Sequence, residues 1–104
     1  MRAKLFFLMI IVTIMLSGCI GQKTEVDVAK DACVKKCSEA LAAGQDLSNG
    51  PCLSNEITKN WVCDVAHSPR LTVDNDPKSQ CSSYGTTAAH FIEVNPGCNF
   101  IRAV

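Results

Sequence analysis

The hydrophobic pattern of the chain begins with an apolar segment close to the N-terminus. Residues 5–16 are apolar except for Thr13, and they follow a short head that carries Arg2 and Lys4. A segment of about a dozen residues is too short to be a spanning helix, since roughly 20 are needed to cross a ~30 Å hydrocarbon core. A basic head and a short apolar run are typical of a cleaved export leader, so we do not expect a permanent transmembrane anchor.

The apolar segment ends in the sequence Leu16-Ser17-Gly18-Cys19, which resembles the lipobox of prokaryotic lipoproteins. In these proteins the chain is cut before the cysteine, and a diacyl- or diether-glycerol is attached to its sulfur. Two lipid chains form a stable anchor, because each buried CH₂ group contributes about 0.8 kcal/mol. We predict that residues 1–18 are a lipoprotein signal peptide and that Cys19 is lipidated. A plain secretory signal or an uncleaved signal anchor is the alternative.

A helical pattern follows the polar tether at residues 19–25. Thr24 is a suitable N-cap, and Glu25 and Asp27 fall in the first turn, where the helix dipole favours negative charge. Small and apolar residues recur at spacings of three and four at Ala29, Cys33, Cys37, Ala40 and Leu41. Because Gly44 is a natural C-terminal stop, the pattern predicts a helix over residues 25–43.

The strand patterns lie further along the chain. In residues 61–67, an alternating pattern places Trp61, Cys63, Val65 and His67 on the predicted inner face. Residues 88–94 form a second predicted strand, and Asn95-Pro96-Gly97-Cys98 predicts a type II turn into a last strand at residues 99–103. Loops are predicted at residues 45–54 and 68–80, and one short helical turn at residues 54–60.

These elements predict an α+β fold, with one N-terminal helix packed on a small antiparallel sheet. The domain covers residues 26–104, behind the signal peptide and the tether. A domain of this size buries only ~60% of the surface that its unfolded chain exposes, so apolar burial alone gives it little stability. We therefore expect covalent cross-links.

Seven cysteines occur in the chain, and six of them follow Cys19: Cys33, Cys37, Cys52, Cys63, Cys81 and Cys98. In a short exported chain an even number predicts a disulfide framework, and six cysteines allow about 15 pairings. Each disulfide contributes on the order of 2–4 kcal/mol. Two cysteines four apart on a helix have Cβ atoms ~5–6 Å apart, whereas a disulfide needs ~3.5–4.5 Å. We therefore predict that Cys33 and Cys37 bond to different downstream cysteines.

Charge gives no sign of a polyanionic partner. The whole chain has ten basic and ten acidic residues, and loss of Arg2 and Lys4 with the leader leaves the mature chain slightly acidic. A chain with this charge balance shows no excess of basic residues of the kind that binds nucleic acids or anionic lipids. The predicted contact with the membrane is therefore the lipid on Cys19, on the extracytoplasmic face.

The candidates for site chemistry are few. His67 and His90 both fall on apolar faces, and a pair of imidazoles from neighbouring strands would be a metal or acid–base site. Asp64 and Glu93 lie three residues from them, and residues three apart on a strand point to opposite faces. Asp74-Asn75-Asp76 lacks the glycine and glutamate of a calcium loop and is interpreted as a solvated turn. We predict no catalytic residue, metal or cofactor, with His67 and His90 as weak metal candidates.

Three functions remain open on these patterns. The first is a non-enzymatic lipoprotein that binds an extracytoplasmic partner or has a structural role. The second is a small metal-dependent hydrolase or metal carrier that uses His67 and His90. The third is a protease inhibitor, in which the loop at residues 68–80 would be the reactive segment.

Three stretches of the mature chain resemble small cysteine-containing exported lipoproteins of archaea. They are residues 47–54 (LSNGPCLS), residues 61–70 (WVCDVAHSPR) and residues 90–94 (HFIEV). The resemblance implies a lipobox-like leader and a short disulfide-rich domain, and it implies no particular activity. In an archaeal host, the lipid on Cys19 would be an isoprenoid ether.

Overall fold

The computed structural model describes residues 22–104, so the predicted signal peptide and Cys19 lie outside the described residues. The chain forms helix α1 at Glu25–Ala42, strands β1 at Cys52–Thr58, β2 at Trp61–Val65, β3 at His90–Val94 and β4 at Phe100–Ala103, and a 3-10 helix at Thr72–Asn75. No helix among residues 22–104 is long and apolar enough to cross a membrane.

Helix α1 matches the predicted helix because both of its ends are set by local capping. The Thr24 hydroxyl accepts a hydrogen bond from the backbone nitrogen of Asp27 at 3.3 Å. At the other end Gly44 takes a left-handed φ of 82°. The nitrogens of Gly44 and Gln45 then donate to the carbonyls of Leu41 and Ala40, both at 3.0 Å, which is a Schellman cap.

The four strands form one sheet in the order β1-β2-β3-β4. The β1–β2 and β3–β4 pairs are antiparallel, while β2 and β3 run parallel. The predicted α+β class is confirmed, with a mixed sheet in place of an antiparallel one. Parallel neighbours need a connection of a dozen or more residues, and residues 66–89 provide it by passing over the sheet from the end of β2 to the start of β3.

Strand β1 replaces the short helical turn predicted at residues 54–60, so that prediction is wrong. Thr58 pairs with Trp61, which leaves Lys59 and Asn60 as a two-residue hairpin loop. Asn60 has a left-handed φ of 73°, a conformation that asparagine tolerates in turns. Its side-chain oxygen also accepts from the backbone nitrogen of Ala89 at 2.8 Å, which connects this hairpin to the start of β3.

The β3–β4 turn also differs from its predicted form. The Cys98 nitrogen donates to the Asn95 carbonyl at 2.8 Å, but the left-handed residue is Cys98 (φ 67°) and not Gly97. A three-residue loop with a left-handed last residue is a common hairpin connection. The Asn95 side chain stabilises it by accepting from the nitrogens of Gly97 and Asn99 at 3.0 and 2.9 Å.

The main core lies between α1 and the inner face of the sheet. Its fully buried members are Ala29, Cys33 and Cys37 on the helix and Cys63, Ile92 and Val94 on the strands. Two of the three disulfides cross this interface, Cys33–Cys63 and Cys37–Cys98, and the third is Cys52–Cys81. The prediction that Cys33 and Cys37 bond to different cysteines is confirmed.

Candidate functional site on the outer face of the sheet

The side of the sheet opposite α1 carries the charged residues of the two central strands. On β2, Val62 and Asp64 alternate with the core residues, and on β3, Phe91 and Glu93 do the same. Asp64 is the register partner of Glu93 in the parallel β2–β3 pair. The strand pairing therefore places two carboxylates side by side on this outer face.

The long connection at residues 66–89 covers part of the outer face and leaves a cleft of about 200 Å³ beside the two carboxylates. The disulfide Cys52–Cys81 attaches this connection to β1. We call this space the outer-face cleft, and its walls are Val62, Asp64, Arg70, Gln80, Cys81, Tyr84, Phe91, Glu93 and Arg102.

Glu93 is an ionic centre of the outer-face cleft. Its side chain is only 5% exposed, and each carboxylate oxygen accepts from one arginine. The Nε of Arg102 lies 2.6 Å from Oε1, and Nη1 of Arg70 lies 3.3 Å from Oε2. Two charge-assisted contacts of this kind compensate the burial of one carboxylate.

Arg70 reaches Glu93 because the loop around it holds its guanidinium in place. Its Nε donates to the Asn75 side chain at 2.9 Å, and Nη2 donates to the Asp74 carbonyl at 3.0 Å. Its three contacts connect the 3-10 helix to β3. Arg70 therefore anchors residues 68–80 to the sheet, while most of these residues remain exposed.

Asp64 lacks the partners that Glu93 has. Its Oδ1 atom is buried and has no hydrogen-bond partner among residues 22–104. Burial raises the pKa of Asp64 to about 7, the charges of Glu93 and Asp74 add to the rise, and the Arg70 guanidinium opposes it. Between pH 3.8 and about 7 the folded protein therefore binds a proton that the unfolded chain has released, so stability falls as the pH rises through this range.

A second polar group lies at the far end of β2, where His67 pairs with Asp74. Nδ1 of His67 is 2.9 Å from Oδ1 of Asp74, and the backbone nitrogens of His67 and Leu71 donate to Oδ2 at 3.0 and 2.9 Å. Burial acts to raise the pKa of Asp74, but these hydrogen bonds together hold it below its ordinary value. Asp74 is only 3% exposed, so the interpretation of residues 74–76 as a solvated turn is wrong at this residue.

The backbone of Gly50 leaves no room for a side chain beside Asp74. A Cβ atom at residue 50 would lie 2.6 Å from Oδ1 of Asp74 and 3.0 Å from the Val65 carbonyl, and the φ there is +65°. Gly50→Ala is expected to lower the free energy of unfolding by about 2 kcal/mol, through backbone strain and displacement of the Asp74 carboxylate. Urea denaturation followed by circular dichroism measures this loss.

Gly44→Ala is the matched control for that substitution. Gly44 has a similar left-handed φ of +82°, but a Cβ atom at this residue would meet no other part of the protein within 4 Å. The substitution should cost only about 1 kcal/mol, from backbone strain alone. Equal losses for the two variants would contradict a steric conflict at Asp74.

The two histidines lie at opposite ends of the strand pair. His90 is the register partner of Trp61, six residues before His67, which separates the imidazoles by about 20 Å along the strands. His90 stacks on Trp61 with centroids 4.6 Å apart, and its Nδ1 lies 3.3 Å from the Val104 carbonyl. The shared cleft that a site using both histidines requires is therefore not formed.

The groups that the fold brings together are carboxylates and arginines, which the sequence patterns did not single out as a site. Within residues 22–104, no group of three or more His, Cys, Asp or Glu side chains has a geometry that could hold a metal ion. The outer-face cleft can donate and accept hydrogen bonds and offers aromatic surface, which suits the binding of a small polar ligand. No protein-family model, curated protein or solved structure matches this chain.

Proposed function

We propose that this protein is a membrane-anchored extracytoplasmic lipoprotein that acts as a non-enzymatic binding module. One observation carries the proposal: all six cysteines among residues 22–104 are paired in disulfides. Disulfides form and persist in oxidising compartments, outside the cytoplasm. They also leave no cysteine of the described residues available as a nucleophile.

The membrane attachment rests on Cys19, the seventh cysteine of the chain. It follows a short apolar leader and two small residues, as in a lipobox. The mature chain is slightly acidic, so electrostatic attraction to anionic lipids would not hold it at a membrane. A lipid on Cys19 supplies the anchor that the charge pattern does not.

The binding role rests on the outer-face cleft. Its walls are held by the Cys52–Cys81 disulfide and by the contacts of Arg70 and Arg102 with Glu93. A preorganised cleft binds a ligand with little ordering cost. The two oxygens of Glu93 are already engaged by arginines, so this residue supports the cleft walls.

Intact-mass spectrometry of the protein extracted from membranes tests the anchor and the disulfides together. We expect the chain to begin at Cys19 with the mass of two lipid chains added, and reduction to add two hydrogen atoms for each of three disulfides. Cys19→Ser should abolish both the added mass and the membrane association. Ser17→Ala, which keeps a small residue in the lipobox, should preserve them.

An unmodified Cys19 on a protein recovered in the soluble fraction would refute the proposed anchor. Six free thiols in the native protein would refute the extracytoplasmic location. The mass of the intact chain reports the lipid and the thiols, cell fractionation reports the membrane association, and neither measurement involves a ligand.

A further inference from the structure

We infer that the outer-face cleft binds one ring of an uncharged carbohydrate. The inference rests on the proposed binding function and names the ligand class of that same site. It is carried by four properties of the cleft: its size, the balance of its charges, its unused hydrogen-bonding atoms and its aromatic wall.

The size of the cleft sets the size of the ligand. Pockets for drug-sized molecules enclose roughly 300–1,000 Å³, whereas this cleft has about 200 Å³. One pyranose ring is a suitable occupant of such a space, and the partly open cleft allows further rings to extend into solvent.

The charges of the cleft nearly cancel. Arg70 and Arg102 are positive, Glu93 is negative and in contact with both, and Asp64 adds a second negative charge when it is ionised. Asp74, whose charge also acts on Asp64, does not line the cleft and is paired with His67. With Asp64 either protonated or ionised, the walls carry at most about one net charge, so neither a cation nor an anion is strongly favoured over a neutral ligand.

The unused polar atoms of the cleft include both donors and acceptors. Asp64 lines the cleft, and no side chain among the described residues donates to its carboxylate; its Oδ1 atom is fully buried, so the acceptor within reach of a ligand is the part of the carboxylate that faces the cleft. Arg102 contacts Glu93 through Nε, its guanidinium carbon lies 5.3 Å from the centre of the Phe91 ring, and its terminal nitrogens donate to no other group among the described residues. Its side chain is 56% exposed. A sugar hydroxyl donates one hydrogen bond and accepts others, so adjacent hydroxyls of one ring can satisfy Asp64 and Arg102 together.

An aromatic wall completes the cleft. Tyr84 is 45% exposed, and its ring packs edge-to-face with Phe91 at a centroid distance of 4.9 Å. Tyrosine is enriched at binding interfaces because its ring is apolar and its hydroxyl group is polar. The C–H face of a pyranose ring provides such an apolar surface, while its hydroxyls face the charged residues.

Amide NMR titration of the processed full chain tests this inference. The ¹⁵N-labelled protein is held in a phosphocholine detergent, because glycosidic detergents would compete for the cleft. The probes are methyl glucoside, methyl mannoside, methyl galactoside and N-acetylglucosamine. We expect at least one to bind with a dissociation constant on the order of 1 mM, with the largest shifts at amides of β2, β3 and residues 80–84.

Three variants locate the binding in the cleft. Asp64→Leu, which removes the carboxylate from the cleft wall, should weaken binding by about tenfold, and Tyr84→Ala by about fivefold. Thr58→Val is the matched control, because Oγ1 of Thr58 is also buried without a partner among the described residues but does not line the cleft. It should leave the affinity unchanged, and the spectra report whether each variant is folded.

Charged analogues distinguish the alternatives. Glucosamine or glucuronate binding more than about tenfold tighter than the neutral sugars would overturn the inference in favour of a cation or an anion. Absence of binding by all four neutral probes would also overturn it. Neither result would affect the lipid on Cys19, which mass spectrometry decides separately, so failure of this inference and failure of the proposed anchor are distinguishable.

Discussion

Replacing both Cys37 and Cys98 with alanine is expected to lower the free energy of unfolding by about 4 kcal/mol. The disulfide joins residues 61 apart in sequence, the largest separation among the three, so its loss releases the most entropy in the unfolded chain. For a domain of this size, the loss corresponds to a fall in melting temperature of roughly 15–30 °C. Differential scanning calorimetry of the oxidised variant measures it.

The Cys52→Ala/Cys81→Ala double variant is the matched comparison. This disulfide closes a separation of 29 residues and attaches the long connection to the edge strand β1. Its loss should cost about 3.5 kcal/mol and should increase amide exchange mainly in residues 66–89. A loss below about 1 kcal/mol for the Cys37/Cys98 variant would mean that helix–sheet packing holds α1 without this cross-link.

Features that depend on neighbouring residues were predictable from the sequence. The ends of α1 follow from Thr24 and Gly44, which cap the helix through hydrogen bonds to residues a few positions away. The spacing of Cys33 and Cys37 excluded a disulfide between them. It did not identify Cys63 and Cys98 as their partners, because that choice depends on which strands the helix crosses.

Features that depend on distant pairing were not predictable. Strand β1 has a weak alternating pattern because it is an edge strand with several partly exposed residues. The parallel direction of β3 relative to β2 depends on the path of residues 66–89, which have no strong periodicity. Without that direction, the register that pairs Asp64 with Glu93 is not known.

The candidate site was missed for the same reason. In the sequence Asp64 and Glu93 stand three residues from the histidines, and residues three apart on a strand point to opposite faces. The available signal was a carboxylate flanked by apolar residues in each strand, Val62 to Val65 and Phe91 to Val94. A carboxylate buried in a strand requires a partner; Arg70 and Arg102 are the partners of Glu93, and the parallel register places Asp64 beside it.

Glu93→Ala is expected to lower the free energy of unfolding by about 3 kcal/mol at pH 5, where Asp64 is largely protonated. The substitution removes two charge-assisted hydrogen bonds and leaves a void beneath Arg70 and Arg102. Breaking a buried ion pair typically costs about 3–5 kcal/mol. We expect the lower end of that range, because both arginines are partly exposed and water can solvate them after Glu93 is removed. Urea denaturation at pH 5 and pH 8 measures it.

The sign of the pH dependence identifies the coupling between the two carboxylates. At pH 8 Asp64 is ionised and repels Glu93, so removing Glu93 also removes that repulsion. The cost of Glu93→Ala should therefore be smaller at pH 8 than at pH 5, by about 1 kcal/mol. In an Asp64→Asn background, Glu93→Ala should lower the free energy of unfolding by the same amount at pH 5 and pH 8, because no titrating carboxylate remains opposite Glu93.

Glu56→Ala provides the baseline for this comparison, because Glu56 is an exposed strand residue on β1. Its substitution should change stability by less than about 0.5 kcal/mol at either pH. A cost for Glu93→Ala that is larger at pH 8 would mean that Asp64 is stabilised by Glu93, through a shared proton, rather than repelled by it. The raised pKa of Asp64 would then have a different cause, and the charge balance assigned to the outer-face cleft would be wrong.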